Sequence, residues 1–128
     1  MSKRIFTPDE ANKRLPLVKK IVREILQNGK EMRELLGKTS GREQSDDLLR
    51  IQEDIDRLMS ELEELGCYYK DWNFEIGLVD FPAMIEGEAV FLCWRSDEPQ
   101  LHWYHRMEEG YAGRKPIPAE LLNSDQSA

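Results

Sequence analysis

The residues best suited to chemistry crowd into one stretch. Both histidines of the chain, His102 and His105, lie between Phe91 and His105, with Cys93, Arg95, Asp97 and Glu98. Asp80 precedes them, and Glu109, Tyr111 and Arg114 follow. Four kinds of chemistry suit these residue types. Asp80, Arg95, Glu98, His105, Tyr111 and Arg114 can line a pocket for a small polar or anionic ligand. There the two arginines supply forked donors and His105 a hydrogen-bonding or proton-transfer group. The same charges can instead close an internal network, Asp80 with Arg95 and Glu98 or Glu109 with Arg114, that pins loops to a sheet. A third possibility is a metal site: Asp80, Cys93 and His102 offer zinc donors if they share a row, and His105 with Glu109 adds a pair. No CxxC or HxxxH spacing backs that set. The fourth, a cysteine nucleophile, is the weakest. Cys93 between Leu92 and Trp94 reads as a small buried hydrophobe, and a triad needs histidine between thiol and acid. Gly110 and Gly113 suit close approach to a ligand or a tight structural loop equally.

Two helices and a sheet must position these groups. Thr7-Pro8-Asp9-Glu10 is a helix start: Thr7 caps, Pro8 takes the first helical position and Glu10 completes a capping box. Ala11, Leu15, Val18, Val22, Ile25, Met32 and Leu36, with Gly29 in the vacant slot, form a heptad seam. Pro16 predicts a bend, and the helix is expected to end near Gly37. A polar turn from Lys38 to Gln44 leads to a second helix opened by Ser45-Asp46-Asp47. Its seam is Leu48, Ile51, Ile55, Leu58, Leu62 and Leu65, with Gly66 as the stop. The short connection makes the two helices antiparallel neighbours.

After Gly66 the composition changes. Ten of the eleven aromatic residues fall between Tyr68 and Tyr111. Val79–Ile85 and Glu88–Arg95 flank Glu86-Gly87, a two-residue hairpin turn. That turn sets Asp80 opposite Cys93 and diagonal to Arg95. It gives Val79, Phe81, Ala83, Ile85, Val90, Leu92 and Trp94 to the face against the helices. Asp80, Met84, Phe91, Cys93 and Arg95 take the other face. Pro82 marks an edge or a bulge. A third strand, Gln100 to Arg106, places His102 beside Cys93 in the simplest register.

The net charge of −7 is unevenly spread. Residues 3–42 carry 11 basic and 5 acidic residues, 43–66 carry 2 and 9, and 67–128 carry 5 and 11. Oppositely charged helices explain the first two blocks, and the acidic balance argues against nucleic acid. The longest apolar runs fall short of the roughly 20 residues of a membrane span, and Met1–Glu10 shows no signal-peptide pattern. Two cysteines, Cys67 and Cys93, then read as reduced thiols in a cytoplasmic protein.

The order of motifs resembles the bacterial domain-of-unknown-function family 2203. The resemblance rests on Phe6-Thr-Pro-Asp-Glu-Ala-Asn12, Leu15-Pro16, Gly77-Leu-Val-Asp-Phe-Pro-Ala83, Leu92-Cys-Trp-Arg95, Glu98, Tyr104-His105 and Gly110-Tyr-Ala-Gly-Arg114. It spans about Ile5 to Ile117, and it implies no activity. His105 matches a motif position and His102 does not. Ser96-Asp97 stands where the family reads Leu-Gly.

Residues 1–118 are therefore expected to form a single α+β domain: a long antiparallel helical hairpin (7–66), then a small antiparallel sheet and loop-rich cap (67–118). Residues 119–128 read as a flexible tail. The functional expectation is a cytoplasmic, non-enzymatic small-ligand-binding or scaffold module. A homodimer through the helices would use the off-seam Leu17, Ile21, Leu26, Leu35 and Leu49. Its ligand-binding set is Asp80, Arg95, Glu98, His105, Tyr111 and Arg114, without catalytic residues, cofactor or metal. The alternative is a metal-assisted hydrolase using His105, Asp80 and Glu109.

Overall fold

Helix α1 (Pro8–Leu36) begins as its sequence dictates. Thr7 Oγ1 accepts from the Glu10 amide at 3.1 Å, and Glu10 Oε1 accepts from the Thr7 amide at 2.9 Å. The computed structural model describes residues 5–38, 42–71 and 73–122. The helix runs through Pro16 as one element and buries Ala11, Leu15, Val18, Val22, Ile25 and Gly29 from its seam. Ile21 is buried in the same core, which removes it from any stripe left over for a second chain. Leu17 is half exposed.

Helix α2 (Arg42–Glu64) starts three residues before the expected cap at Ser45. Arg42, Glu43 and Gln44 favour helix, which extends the element ahead of the acids at 46 and 47. The middle of the expected turn, residues 39–41, lies outside the described residues. Ile51, Ile55, Leu58 and Leu62 are buried. The exposed pairs Lys13–Asp9, Arg50–Asp47 and Arg57–Asp54, each at 3.0 Å, join residues within one helix. Such pairs contribute only a few tenths of a kcal/mol, so the apolar seam carries the hairpin.

A Schellman motif ends α2. Gly66, at φ 96°, donates to Glu63 O at 2.9 Å, and Cys67 donates to Leu62 O at 3.1 Å. The chain then enters a five-stranded antiparallel sheet in sequence order: β1 (Tyr68–Tyr69), β2 (Leu78–Ile85), β3 (Glu88–Arg95), β4 (Trp103–Arg106) and β5 (Lys115–Pro116). Between β2 and β3 the Glu86-Gly87 turn has positive φ at both residues (52° and 79°), the signature of the primed turn that matches strand twist. Asp80 pairs with Cys93 as that turn requires, without a bulge. Pro82 sits beyond two-residue β1, where β2 is a local edge closed by Phe6, whose amide donates to Pro82 O at 2.7 Å.

Val79, Phe81, Ala83, Ile85, Val90, Leu92 and Trp94 join the seams of α1 and α2 in one core. Helix α1 also grips the β3–β4 connection. Leu101 donates to Asn12 Oδ1 at 2.8 Å, and Lys19 Nζ donates to Pro99 O at 2.6 Å. Past β5 a four-residue helix, α3 (Ala119–Leu122), lays Leu121 and Leu122 partly against the core. Residues 123–128 of the expected tail lie outside the described residues. Among the described residues no helix is long and apolar enough to cross a membrane.

Gly77, just ahead of β2, packs closely against α1. A Cβ there would drive into Val22 Cγ1 and crowd Ser96 Cβ at 3.3 Å. The Ser96 amide donates to Gly77 O at 2.8 Å, so the backbone has little room to retreat. Gly77→Ala should cost about 1–3 kcal/mol in urea unfolding through overpacking. Gly110→Ala, with nothing within 4 Å of its added methyl, should cost far less.

Candidate functional site

The outer face of the sheet, away from the helices, gathers the polar residues, and register decides which of them meet. β4 pairs with β3 one residue away from the simplest alignment. Trp103, not His102, lies opposite Cys93, and His105 lies opposite Phe91. Side chains alternate between faces, so this one-residue difference exchanges the two histidines. His102 is exposed, and His105 turns to the outer face with Asp80 and Cys93. The expected Asp80–Cys93–His102 row is thereby corrected to Asp80–Cys93–His105.

These three side chains form the floor of a pocket of about 280 Å³, walled by Lys70, Phe91, Met107, Glu109 and Tyr111 among others. Asp80, Cys93 and His105 are 4%, 2% and 3% exposed, and their donor atoms lie within 4.8 Å of one another. His105 is held at both ends. Its Nδ1 is 2.8 Å from the Arg106 carbonyl, and its Nε2 is 3.1 Å from Asp80 Oδ2. A carbonyl only accepts, so Nδ1 carries a proton, and Nε2 is the nitrogen that faces Asp80. The Phe91 ring, 5.7 Å away and tilted by 50°, covers the imidazole. Burial pushes the Asp80 carboxyl above its ordinary range, with the His105 charge opposing it. Burial likewise lifts the Cys93 thiol to about 12, with the Asp80 charge adding to it, while Arg114 acts the other way.

The other polar residues expected in the pocket form a separate cluster beside it. Arg114 makes a forked pair with Glu98, Nη1 to Oε1 at 3.1 Å and Nη2 to Oε2 at 2.7 Å, with the side chains only 11% and 15% exposed. Its guanidinium lies 4.8 Å from the Trp103 ring centre and 4.5 Å from that of Tyr111. Glu98 also accepts from the Arg95 amide at 2.8 Å, and its carbonyl accepts from Trp94 Nε1 at 2.8 Å. Arg95 does not reach Asp80 as expected. Its Nε donates to Asp97 Oδ1 at 2.6 Å and its Nη1 donates to the Tyr111 hydroxyl. The Arg95 hydrogen bond holds the Asp97 carboxyl below its ordinary range. Asp80 is instead buried and engaged by His105, while Arg95 stays with its near neighbour Asp97.

The six residues expected together thus split. Asp80 and His105 sit on the pocket floor, Tyr111 lies on its wall, and Arg95, Glu98 and Arg114 tie the Tyr111–Arg114 loop to the end of β3. Lys70, Phe91 and Met107 were missed as wall residues. Lys70 follows a strand of two residues, too short to leave a periodic signal. For the histidines there was a signal: Tyr104-His105 belongs to the motif pattern, and His102 does not.

The model of the family described as uncharacterized conserved protein (DUF2203) matches residues 4–117, and the chain belongs to that family. No curated protein and no solved structure matches it.

Proposed function

We propose that the protein is a small-ligand-binding module whose site is the pocket over Asp80, Cys93 and His105. The observation behind this reading is a buried acid–imidazole pair set at the foot of an open concavity. Burying an ionisable pair costs several kcal/mol per charge before partners repay it, and an apolar pair of similar size would fill the sheet at less cost. Perturbed, desolvated groups in a cleft are where binding and proton-transfer functions concentrate. The volume fits a ligand smaller than a typical drug. Lys70 and Tyr111 on the wall suit a polar or anionic one. The neighbouring arginines are committed to Glu98 and Asp97, so they serve as framing for the site.

Asp80→Asn separates this from a purely structural role. The amide keeps the shape and can donate to the Nε2 lone pair, without the desolvation cost of a carboxylate. Its unfolding free energy should match or exceed that of the wild type, within about 1 kcal/mol. Native mass spectrometry of gently purified protein should show a bound species that the variant lacks. In a thermal-shift panel of small carboxylates, phosphates and amines, the variant should lose the shift that the wild type shows. Destabilisation by several kcal/mol, with an identical bound state and identical panel, would mean the pair only holds the sheet together.

The second reading, metal-assisted hydrolysis, is favoured by the convergence of three donor atoms beside Glu109, which would take a proton from the attacking water. Zinc-dependent turnover of chromogenic esters or phosphates, lost in Glu109→Gln, would establish it. Self-association through the helices draws support from half-exposed Leu17 and exposed Leu49. A cytoplasmic setting accords with the buried free thiols of Cys67 and Cys93.

A further inference from the structure

We propose that Asp80, Cys93 and His105 bind one divalent transition-metal ion of the zinc class, through Oδ, Sγ and Nε2, with the fourth position open to the pocket. This deepens the pocket reading and rests on it.

Geometry comes first. The donors come from three adjacent strands: Asp80 on β2, Cys93 directly opposite on β3, and His105 on β4. A hydrogen-bonded sheet holds such donors more firmly than a loop would. Around a tetrahedral zinc, nitrogen and oxygen donors about 2 Å from the ion stand roughly 3.3 Å apart. Nε2 and Oδ2 already stand 3.1 Å apart. With every separation inside 4.8 Å, the thiol needs on the order of 1 Å of closure to reach bonding distance.

Proton bookkeeping comes second. Nδ1 is committed to the Arg106 carbonyl, which is the outer-sphere contact that fixes the tautomer of a metal-bound histidine and aims Nε2 at the ion. Nε2 then faces a carboxylate oxygen, two acceptors across 3.1 Å. Something positive must lie between them, a proton or a cation. The cysteine sulfur within the same small volume supplies a third donor to such a cation.

Donor type comes third. An oxygen, a nitrogen and a sulfur together suit zinc and its neighbours, whereas magnesium and calcium prefer oxygen alone. Three protein ligands are one short of a closed structural site. That leaves a position for water or an oxygen of the bound ligand, on the side where Lys70 and Tyr111 line the pocket.

The test uses the whole chain, stripped with chelator and titrated with cobalt(II). The wild type should take up one equivalent, with a thiolate-to-cobalt charge-transfer band and the intense visible bands of a tetrahedral ion. Cys93→Ser should lose the charge-transfer band. His105→Gln should weaken uptake by at least about tenfold. His102→Gln should leave both unchanged. Circular dichroism of the metal-free variants shows whether each is folded. Failure of the wild type to take up stoichiometric cobalt overturns the proposal, and needs no variant to be stable. So does a charge-transfer band that survives in Cys93→Ser, which would place the ion at Cys67. Absence of metal uptake alongside an Asp80-dependent thermal shift would sink the metal site and leave the ligand pocket standing. Metal uptake without any such shift would do the reverse.

Discussion

Arg114→Ala should lower the unfolding free energy by about 2–3 kcal/mol, read as a lower urea midpoint at unchanged slope. Two losses contribute. The forked pair with Glu98 is mostly shielded from water, so removing one partner strands a carboxylate that retains the Arg95 amide as a donor. The guanidinium also lies against both Trp103 and Tyr111, and alanine removes that contact from each ring, leaving Tyr111 only the more distant Arg95. Arg114→Lys keeps the charge without the fork and should fall between alanine and wild type. Arg95→Ala should cost much less, because Asp97 and the rim of Tyr111 are exposed to solvent that screens the pair. Equal, small effects at both arginines would show that neither pair holds the loop, and would return both side chains to the list of candidate ligand contacts.

Trp94→Ala should be more severe, about 3–5 kcal/mol, enough to unfold a marginal domain of this size. The indole is 1% exposed and is one of the largest fully buried side chains of the core shared by the sheet and both long helices. It has a second role at the sheet margin, where Nε1 donates to Glu98 O. Trp94→Phe isolates that role. It keeps most of the apolar bulk, strands the carbonyl, and should cost about 1–2 kcal/mol. If Trp94→Phe were neutral in stability, the Trp94–Glu98 contact would not be what sets the turn after β3. The two experiments meet at Glu98, which anchors Trp94 through its backbone and Arg114 through its side chain. A change that loosens this turn should also disturb Tyr111 and the pocket wall, although none of these residues lies on the pocket floor.

Much of this architecture was legible before any coordinates, because it rests on short-range rules. The capping box at Thr7 and Glu10, the seam of α1 and the stop at Gly66 depend on residues within a few positions of each other. The Glu86-Gly87 turn has only two central residues, so its strands could pair one way, and Asp80 had to face Cys93. The face assignments of β2 and β3 followed by alternation. The start of α2 was less legible, since the helix begins at Arg42, three residues before the cap that Ser45 offered.

The site was decided elsewhere. Between β3 and β4 the connection runs from Ser96 to His102, and no local rule ties a loop of that length to one register. Its alignment is settled by contacts far away in the chain: Leu101 buried and gripped by Asn12, Ile117 donating to His102 O, and Trp103 placed under Arg114. That choice exchanged one histidine for the other. Similarly, Arg95 and Arg114 had several carboxylates within reach, and only the folded loop showed which were nearest. The sequence by itself determined the helical hairpin, the β2–β3 ladder and the pairing of an acid with a thiol on its outer face, since each depends on near neighbours. The third member of that group, and the walls around it, were left to tertiary packing, because a period-two strand inverts its chemistry with every residue of slip.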